Sequence, residues 1–174
     1  MYLSIDDDDF KVSRILNHKV SSYLYGEANY ESVYEIIKKF SSEDSYFLDV
    51  GSGCGKIVIY LAKNLNILAD GVEIDINRYL KSLNLIDKFD LFDRVEFINQ
   101  SFENIYFGNY NMLYCCNLIF TEEDNLKLFN KILKEFQGYF FLFDYNLLLE
   151  PYLIDDFMIN TSWNKKQYLF VFKK

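Results

Sequence analysis

The feature that most constrains the fold is a glycine-rich turn between two apolar segments. It reads Asp-Val-Gly-Ser-Gly-Cys-Gly at 49–55 and holds three of the seven glycines of the chain. Apolar residues precede it at 46–48 and follow it at 57–62, and Glu73 stands 22 residues after Gly51. A buried strand, a glycine turn, a helix and a second strand ending in a carboxylate form half of a nucleotide-binding βαβ unit. The sequence therefore predicts a parallel α/β sheet with a nucleotide-like ligand at the turn.

The residues around the turn disfavour a dinucleotide. Lys56 stands where the pattern Gly-x-Gly-x-x-Gly requires its last glycine. Asp49 precedes the turn, and its carboxylate would repel a pyrophosphate bound at the helix N-terminus. The same carboxylate suits the ammonium group of S-adenosylmethionine, which carries no phosphate, while Glu73 is placed to accept hydrogen bonds from ribose hydroxyls. A purely structural βα turn and a different nucleotide remain alternatives.

Length and composition limit the other possibilities. The 174 residues, half of them apolar, predict one globular domain. The three cysteines and the single histidine, His18, give neither a metal-ligand spacing nor a Ser-His-Asp set, so no metal site is expected. A net charge of −8 disfavours tight binding to nucleic acid and favours a cationic substrate. No apolar run suits a membrane span and no signal peptide is visible, which predicts a soluble, intracellular protein without membrane contact.

Strand and helix patterns alternate along the chain. The predicted strands are 46–50, 67–73, 94–99, 111–116, 139–144, 157–163 and 167–173, and the predicted helices end near residues 40, 64, 88, 136 and 155. This order predicts a Rossmann-like α/β fold. We expect a seven-stranded, mostly parallel sheet with an antiparallel C-terminal hairpin strand and helices on both faces.

Three stretches resemble a known family. Tyr25-Gly26-Glu27 precedes the first helix of the core, the glycine turn continues to Lys56 with Gly-Val-Glu after it, and Ser162-Trp163 comes shortly before Tyr168. The turn resembles class I S-adenosylmethionine-dependent methyltransferases. In this order, the stretches resemble the disruptor-of-telomeric-silencing family, the non-SET histone lysine methyltransferases, over most of residues 22–170. We accordingly divide the single domain into an N-terminal helical segment with a cofactor-lid loop (1–40) and a methyltransferase core (41–174).

The resemblance implies a set of cofactor-binding residues. Tyr25 and Glu27 would close over the methionine end of S-adenosyl-L-methionine, Glu73 would hold the ribose, and Ser101 and Phe102 would contact the adenine. The family has aspartate where this chain has Ser101. The full implied set is Tyr25, Glu27, Asp49, Gly51, Gly53, Gly55, Lys56, Glu73, Ser101 and Phe102.

The resemblance also implies the residues that would receive a lysine side chain. Asn117 would be the catalytic-face asparagine, and Trp163 and Tyr168 would wall the lysine channel. Family members carry two adjacent asparagines here, and this chain has Cys116 in place of the first. Structural roles remain open as well: Asn117 as a turn cap, Phe102 and Trp163 as core aromatics, and Tyr168 as an ordinary strand residue.

The function that the resemblance implies is protein lysine N-methylation. The acidic charge fits a basic protein substrate, either a histone or another lysine-rich protein. Two alternatives stay open: a methyltransferase for RNA or a small molecule, and a catalytically silent scaffold with the same fold. The Asp/Asn-Pro-Pro-Tyr/Phe signature of nucleic-acid amino methylases is missing after the fourth strand.

Overall fold

The computed structural model describes residues 28–161 and 166–174. Within these ranges, four α-helices and seven strands follow the predicted order, and the fifth predicted helix, near 146–155, is not formed. The helices are α1 (Tyr30–Ile37), α2 (Lys56–Leu65), α3 (Ile76–Phe89) and α4 (Glu122–Glu135). The strands are β1 (Tyr46–Val50), β2 (Leu68–Val72), β3 (Val95–Ile98), β4 (Met112–Cys115), β5 (Tyr139–Leu142), β6 (Leu153–Ile159) and β7 (Gln167–Lys173).

All seven strands form one sheet in the order β3-β2-β1-β4-β5-β7-β6. The first five strands are parallel, and β7 runs antiparallel to both β5 and β6. This confirms the predicted Rossmann-like class and its antiparallel C-terminal strand. Because the strand order reverses between β1 and β4, their carboxyl ends flank the position where such sheets bind ligands.

Two apolar layers cover the sheet. Helices α1, α2 and α3 pack on one face against side chains such as Phe47, Tyr114 and Phe141. Helix α4 packs on the other face against Leu113, Leu142 and their neighbours. Both layers consist mainly of aromatic and branched side chains from strands buried on both sides, which is typical of a parallel sheet.

Two helix starts follow the predicted capping residues. Asn29 Oδ1 accepts a hydrogen bond from Ser32 N at 2.8 Å, and Thr121 Oγ1 accepts one from Asp124 N at 3.1 Å. Each bond satisfies a backbone N–H group that the first helical turn leaves without a partner. Among the described residues, every helix is too short or too polar to cross a bilayer.

The segment after β5 differs from the prediction. A helix was expected over 146–155, but the described chain there forms only the 3-10 helix Glu150–Tyr152, and β6 begins at Leu153 instead of 157. Pro151 lies in that single helical turn and cannot donate a hydrogen bond to extend it. A β-bulge between Leu153 and Asp155 then sets the register with β7.

Candidate functional site

The glycine turn lies at the carboxyl end of β1 and is fastened to the end of β2. The N–H groups of Gly51 and Ser52 both donate to Val72 O, at 2.8 and 3.0 Å. Gly51, Gly53 and Gly55 have positive φ angles, which side chains rarely adopt. At Gly55 a Cβ atom would also overlap the Phe97 ring. The turn therefore needs glycine for its conformation and for close packing on β3.

Glu73 connects the turn to the start of α3. Its Oε2 accepts a hydrogen bond from Gly53 N and its Oε1 one from Asp75 N, both at 2.8 Å. Asp75 in turn caps α3 by accepting from Asn77 N and Arg78 N. Each carboxylate oxygen of Glu73 can accept a further hydrogen bond. The two backbone hydrogen bonds thus hold the Glu73 side chain in one orientation. Its oxygens can still accept hydrogen bonds from a ligand at the edge of the sheet.

Asp49 is the unusual group of the site. It is 2% exposed, and its Oδ1 atom has no hydrogen-bond partner among the described residues. Burial raises the pKa of this carboxyl well above its usual range, and the nearby Glu73 carboxylate raises it further. A buried, unpartnered carboxylate is unfavourable unless a cation or a donor meets it. A ligand with an ammonium group would supply both.

Two further polar atoms near Asp49 also lack partners among the described residues. They are the Ser52 hydroxyl and the Tyr114 hydroxyl, both buried. Tyr114 lies opposite Asp49 in the β1–β4 register, and both side chains are on the α1–α3 side of the sheet. Sequence reasoning did not single out Tyr114, because a tyrosine inside an apolar strand gives no functional signal.

An aromatic pair lies beside the glycine turn on the opposite face. Phe102 stacks on Phe120 with ring centroids 5.9 Å apart and planes 16° apart, and the Phe120 ring is 3.8 Å from the Cβ position of Gly51. Ser101 Oγ accepts from Glu103 N at 3.3 Å, capping the short helix that carries Phe102. The structure thus brings the predicted adenine-contact residues close to the turn.

Ile74 was not predicted as a site residue. It is 73% exposed although apolar, and it directly follows Glu73. Asn99 Nδ2 donates to the backbone oxygens of Glu73 and Ile74, at 2.8 and 3.2 Å, and so fixes this loop to the end of β3. An exposed apolar side chain at the carboxyl edge of the sheet is a surface on which a flat purine ring can pack.

Asn117 has a structural role in the described structure, which is one of the two roles that the sequence leaves open for it. The residue is 0% exposed. Its Nδ2 donates to Asn125 Oδ1 and Asp144 O, at 2.7 and 2.9 Å, while its Oδ1 accepts from Phe143 N and Asp144 N, at 3.0 and 3.1 Å. All four hydrogen bonds of the amide thus join the end of β4 to the end of β5 and to α4. The side chain has no group left to orient an incoming amine.

Cys116 precedes Asn117 and packs against the α1–α3 side of the sheet, where Asp49 lies. Burial raises the pKa of its thiol to about 12, and the Asp49 charge contributes to this rise. The thiol therefore stays protonated at neutral pH and is a poor nucleophile. It is a compact, weakly polar surface at the carboxyl end of β4.

The remaining predicted residues divide into described and undescribed ones. Lys56 begins α2, directly after the turn. Tyr168 is 47% exposed in β7, on the α4 side of the sheet. Tyr25, Glu27 and Trp163 lie outside the described residues, so their implied roles stay predictions.

The fold and the site together define a class I methyltransferase. The family model for histone methylation protein DOT1 matches residues 11–139, which is 129 of the 174 residues. The chain belongs to this family, and it is an S-adenosylmethionine-dependent methyltransferase with S-adenosyl-L-methionine as its cofactor. The match ends at the start of β5, so β6 and β7 are outside it.

Solved structures agree on the fold. One is an RNA methyltransferase from Salinibacter ruber in complex with S-adenosyl-L-homocysteine, at 17% identity and TM-score 0.65, covering 82% of this chain and 90% of that chain. Another is magnesium protoporphyrin IX methyltransferase from Synechocystis PCC 6803 with bound SAM, at 14% identity and TM-score 0.69, covering 83% and 78%. A third is an rRNA methylase from Streptococcus thermophilus, at 13% identity and TM-score 0.61, covering 82% and 94%. A comparison with curated protein sequences finds no significant match.

Proposed function

We propose that this chain is a protein lysine N-methyltransferase that acts on a basic protein, with histones as the first candidates. The observation that carries the proposal is the match of residues 11–139 to the histone methylation family. The net charge of −8 supports it, because an acidic enzyme attracts a lysine- and arginine-rich substrate.

In this proposal the described site residues hold the cofactor. Asp49 faces the ammonium group, which removes the cost of its unpartnered Oδ1 atom. Glu73 accepts hydrogen bonds from the ribose hydroxyls, since each of its oxygens has capacity beyond its backbone bond. Phe102 and Ile74 provide apolar contacts for the adenine ring. The glycine turn permits the close approach of the ligand to the backbone.

The bound cofactor supplies a methyl group on a sulfonium, so the protein needs no general acid for the leaving group. This chain must keep the amine of the substrate lysine uncharged and align it with the methyl group. An ordinary lysine has a pKa of about 10.4, and a poorly hydrated surface favours the uncharged form. Cys116, together with Tyr168 and Trp163 as channel walls, provides such a surface in our proposal. Correct alignment of the two reactants contributes several kcal/mol on its own.

A second candidate function is methylation of RNA or a small molecule. Cys116 stands where the family carries its first asparagine, and Asn117 is fully used in hydrogen bonds within the protein. The amide that would face a lysine amine in the family is therefore missing from the described site. The same observation keeps a catalytically silent scaffold as a third possibility.

Cofactor binding is tested first, by calorimetric titration with S-adenosylhomocysteine. We expect Glu73→Ala and Gly53→Arg each to weaken binding at least tenfold. The matched control is Glu96→Ala, because Glu96 is an exposed carboxylate on β3 away from the glycine turn. Unchanged affinity in both site variants would remove the residue assignment.

The substrate class is tested by methyl transfer. Labelled cofactor is incubated separately with core histones, nucleosomes, total cell protein, total RNA and a small-molecule extract, and the methylated residues are identified by mass spectrometry. Methyl-lysine in a basic protein, lost in Glu73→Ala, is the expected result. Label in RNA or in the extract alone would replace the lysine proposal with the second function. Cofactor binding with no label in any sample would support the scaffold.

A further inference from the structure

The Tyr114 hydroxyl is a buried polar group that the cofactor assignment above does not use. Tyr114 is 1% exposed, and its hydroxyl has no hydrogen-bond partner among the described residues. Asp49 Oδ1, on the neighbouring strand, also lacks one. Buried polar atoms without a partner are rare in protein interiors. A phenol donates a hydrogen bond and a carboxylate accepts one, so each of these two groups is a suitable partner for the other.

Strand pairing places the two side chains next to each other. Asp49 of β1 is opposite Tyr114 of β4, and Tyr114 lies in the apolar layer under α1, α2 and α3. Phe47 belongs to the same layer, so alternation along β1 puts Asp49 on this side of the sheet as well. Burial raises the pKa of the Tyr114 hydroxyl, and the neighbouring Cys116 and Asp49 raise it further. The hydroxyl is therefore within electrostatic range of the Asp49 carboxylate and keeps its proton at neutral pH.

Aromatic packing holds the Tyr114 ring in place. Phe47 stacks against it with ring centroids 6.4 Å apart and planes 30° apart, and Phe143 contacts it edge-on with centroids 6.1 Å apart. All three residues are buried. A ring enclosed in this way loses little further freedom when its hydroxyl forms a hydrogen bond, so the entropic cost of that bond is small. Tyr114 is thus better suited to orient a neighbouring carboxylate than a side chain that is free to rotate.

The hydroxyl of Ser52, which also lacks a partner among the described residues, lies on the other side of Asp49. Gly71 of β2 pairs with Asp49, and Ser52 Oγ is 2.6 Å from the position that a Cβ atom would occupy at Gly71. Ser52 therefore lies over β2, whereas Tyr114 belongs to β4. The electrostatic interaction with Asp49 and the enclosed ring favour Tyr114 as the donor.

Asp70 provides a precedent within the same sheet. It is 4% exposed, and the hydroxyls of Tyr46 and Tyr110 donate to its Oδ2 atom, at 2.5 and 2.9 Å. Tyrosine hydroxyls thus satisfy one buried aspartate of this fold. Asp49 has a comparable neighbour in Tyr114, and a carboxylate that accepts one hydrogen bond from a phenol keeps capacity for a cation.

We propose that Tyr114 is a positioning residue of the cofactor site, whose hydroxyl donates a hydrogen bond to the Asp49 carboxylate when the ammonium group of the ligand binds there. This inference rests on the function proposed above for the pairing of Asp49 with the ammonium group, and it does not depend on which methyl acceptor the enzyme uses. The carboxylate then accepts one hydrogen bond from the phenol and one from the ammonium group. Without the phenol, the charged form of Asp49 is stabilised less and its orientation toward the ammonium group is no longer fixed.

The test compares two ligands by calorimetric titration of the full chain. S-adenosylhomocysteine carries the ammonium group, and methylthioadenosine has the same nucleoside without the amino acid part. Tyr114→Phe removes only the hydroxyl, and we expect it to weaken S-adenosylhomocysteine about ten- to a hundredfold and methylthioadenosine less than about twofold. The matched control is Tyr110→Phe, which removes a buried hydroxyl from the buried Asp70 before the start of β4. We expect this control to lower Tm and to leave both affinities within about twofold.

Equal losses for the two ligands in Tyr114→Phe would indicate general destabilisation and overturn the inference. A selective loss of S-adenosylhomocysteine in Ser52→Ala, with Tyr114→Phe unchanged, would overturn it in favour of the other hydroxyl. In the double variant Tyr114→Phe/Asp49→Asn we expect the loss of Asp49→Asn alone, because the phenol acts through the carboxylate. Losses that simply add would contradict this positioning role.

Asp49→Asn separates the inference from the function on which it rests. If this variant keeps the wild-type preference for S-adenosylhomocysteine over methylthioadenosine, the ammonium assignment fails and the role of Tyr114 fails with it. If Asp49→Asn removes the preference and Tyr114→Phe retains it, only the role of Tyr114 is overturned. A methyl acceptor other than lysine would change the proposed function, and a selective loss in Tyr114→Phe would still support the positioning role.

Discussion

Replacing Asn117 by alanine tests whether its amide is structural or catalytic. The change leaves the buried Phe143 N–H without an acceptor and removes three other hydrogen bonds at the end of β4. A buried donor without a partner costs about 1–3 kcal/mol. The other bonds are partly buried and recover some interaction with water. We therefore expect the free energy of unfolding to fall by about 2–4 kcal/mol in total.

This loss is measurable by thermal and urea denaturation. For a domain of this size, about 1 kcal/mol lowers Tm by about 2–4 °C, so Asn117→Ala is expected to lower it by about 4–16 °C. The matched control is Asn125→Ala, which removes one partner of the Asn117 amide at 2.7 Å and is expected to cost about 1 kcal/mol.

The contrary result is equally clear. If Asn117→Ala unfolds at the same temperature as the Asn125→Ala control, binds S-adenosylhomocysteine normally and loses methyl transfer, the amide contacts the substrate. The hydrogen bonds described here would then not be those of the working enzyme. Loss of stability with the remaining activity in proportion to folded protein would establish the structural role.

Three other perturbations test the site. In Gly71→Ala the new Cβ lies 2.6 Å from Ser52 Oγ in the glycine turn, so cofactor affinity and Tm should fall, at a cost of about 1–3 kcal/mol. Gly108→Ala is the control, because its Cβ meets only an exposed tyrosine ring that can move, and equal losses in calorimetry and denaturation would refute the packing argument. Burial raises the pKa of Asp49, so this group takes up a proton at a higher pH than an ordinary carboxyl does, while the ligand's amino group stays charged as the pH falls. S-adenosylhomocysteine affinity should therefore decline on acidification before ordinary carboxyls titrate, and Asp49→Asn should bind weakly at every pH; a decline that persists in Asp49→Asn would exclude this carboxyl as its cause. At pH 8 the thiolate fraction of Cys116 should be roughly a thousandfold below that of an ordinary thiol, and a thiol that reacts at once with Ellman's reagent in the native protein would contradict its raised pKa.

Local signals in the sequence were sufficient to predict most of the fold. The capping residues Asn29 and Thr121 act through their own helix turns, so their effect is readable within four residues. The glycine turn and Glu73 were predictable for the same reason, because positive φ angles and strand ends leave characteristic residues. The helix expected over 146–155 was wrong, since the chain from Leu153 onward joins the edge strand β6, and that pairing depends on the distant β7.

The site was less predictable where a residue's partners are distant in sequence. Asn117 follows a strand, as a catalytic asparagine would, and its four hydrogen bonds go to Asn125, Phe143 and Asp144. Only the tertiary structure brings these groups together. The sequence therefore could not distinguish an amide that joins β4 to β5 from one that faces a ligand. Ile74 was missed because the sequence alone does not show that this apolar residue is exposed.

Two buried aspartates on neighbouring strands show what the structure adds. Asp70 of β2 accepts hydrogen bonds from the hydroxyls of Tyr46 and Tyr110, at 2.5 and 2.9 Å, and from Glu96 N at 3.2 Å. Asp49 of β1 has an Oδ1 atom with no partner among the described residues. Burial raises the pKa of both carboxyls, so the shift alone does not identify a ligand site. What separates them is hydrogen bonding: the protein satisfies the first carboxylate, whereas the second keeps one oxygen without a partner among the described residues, where the proposed cofactor would bring its ammonium group. Asp49 is therefore the residue on which the cofactor assignment depends most directly.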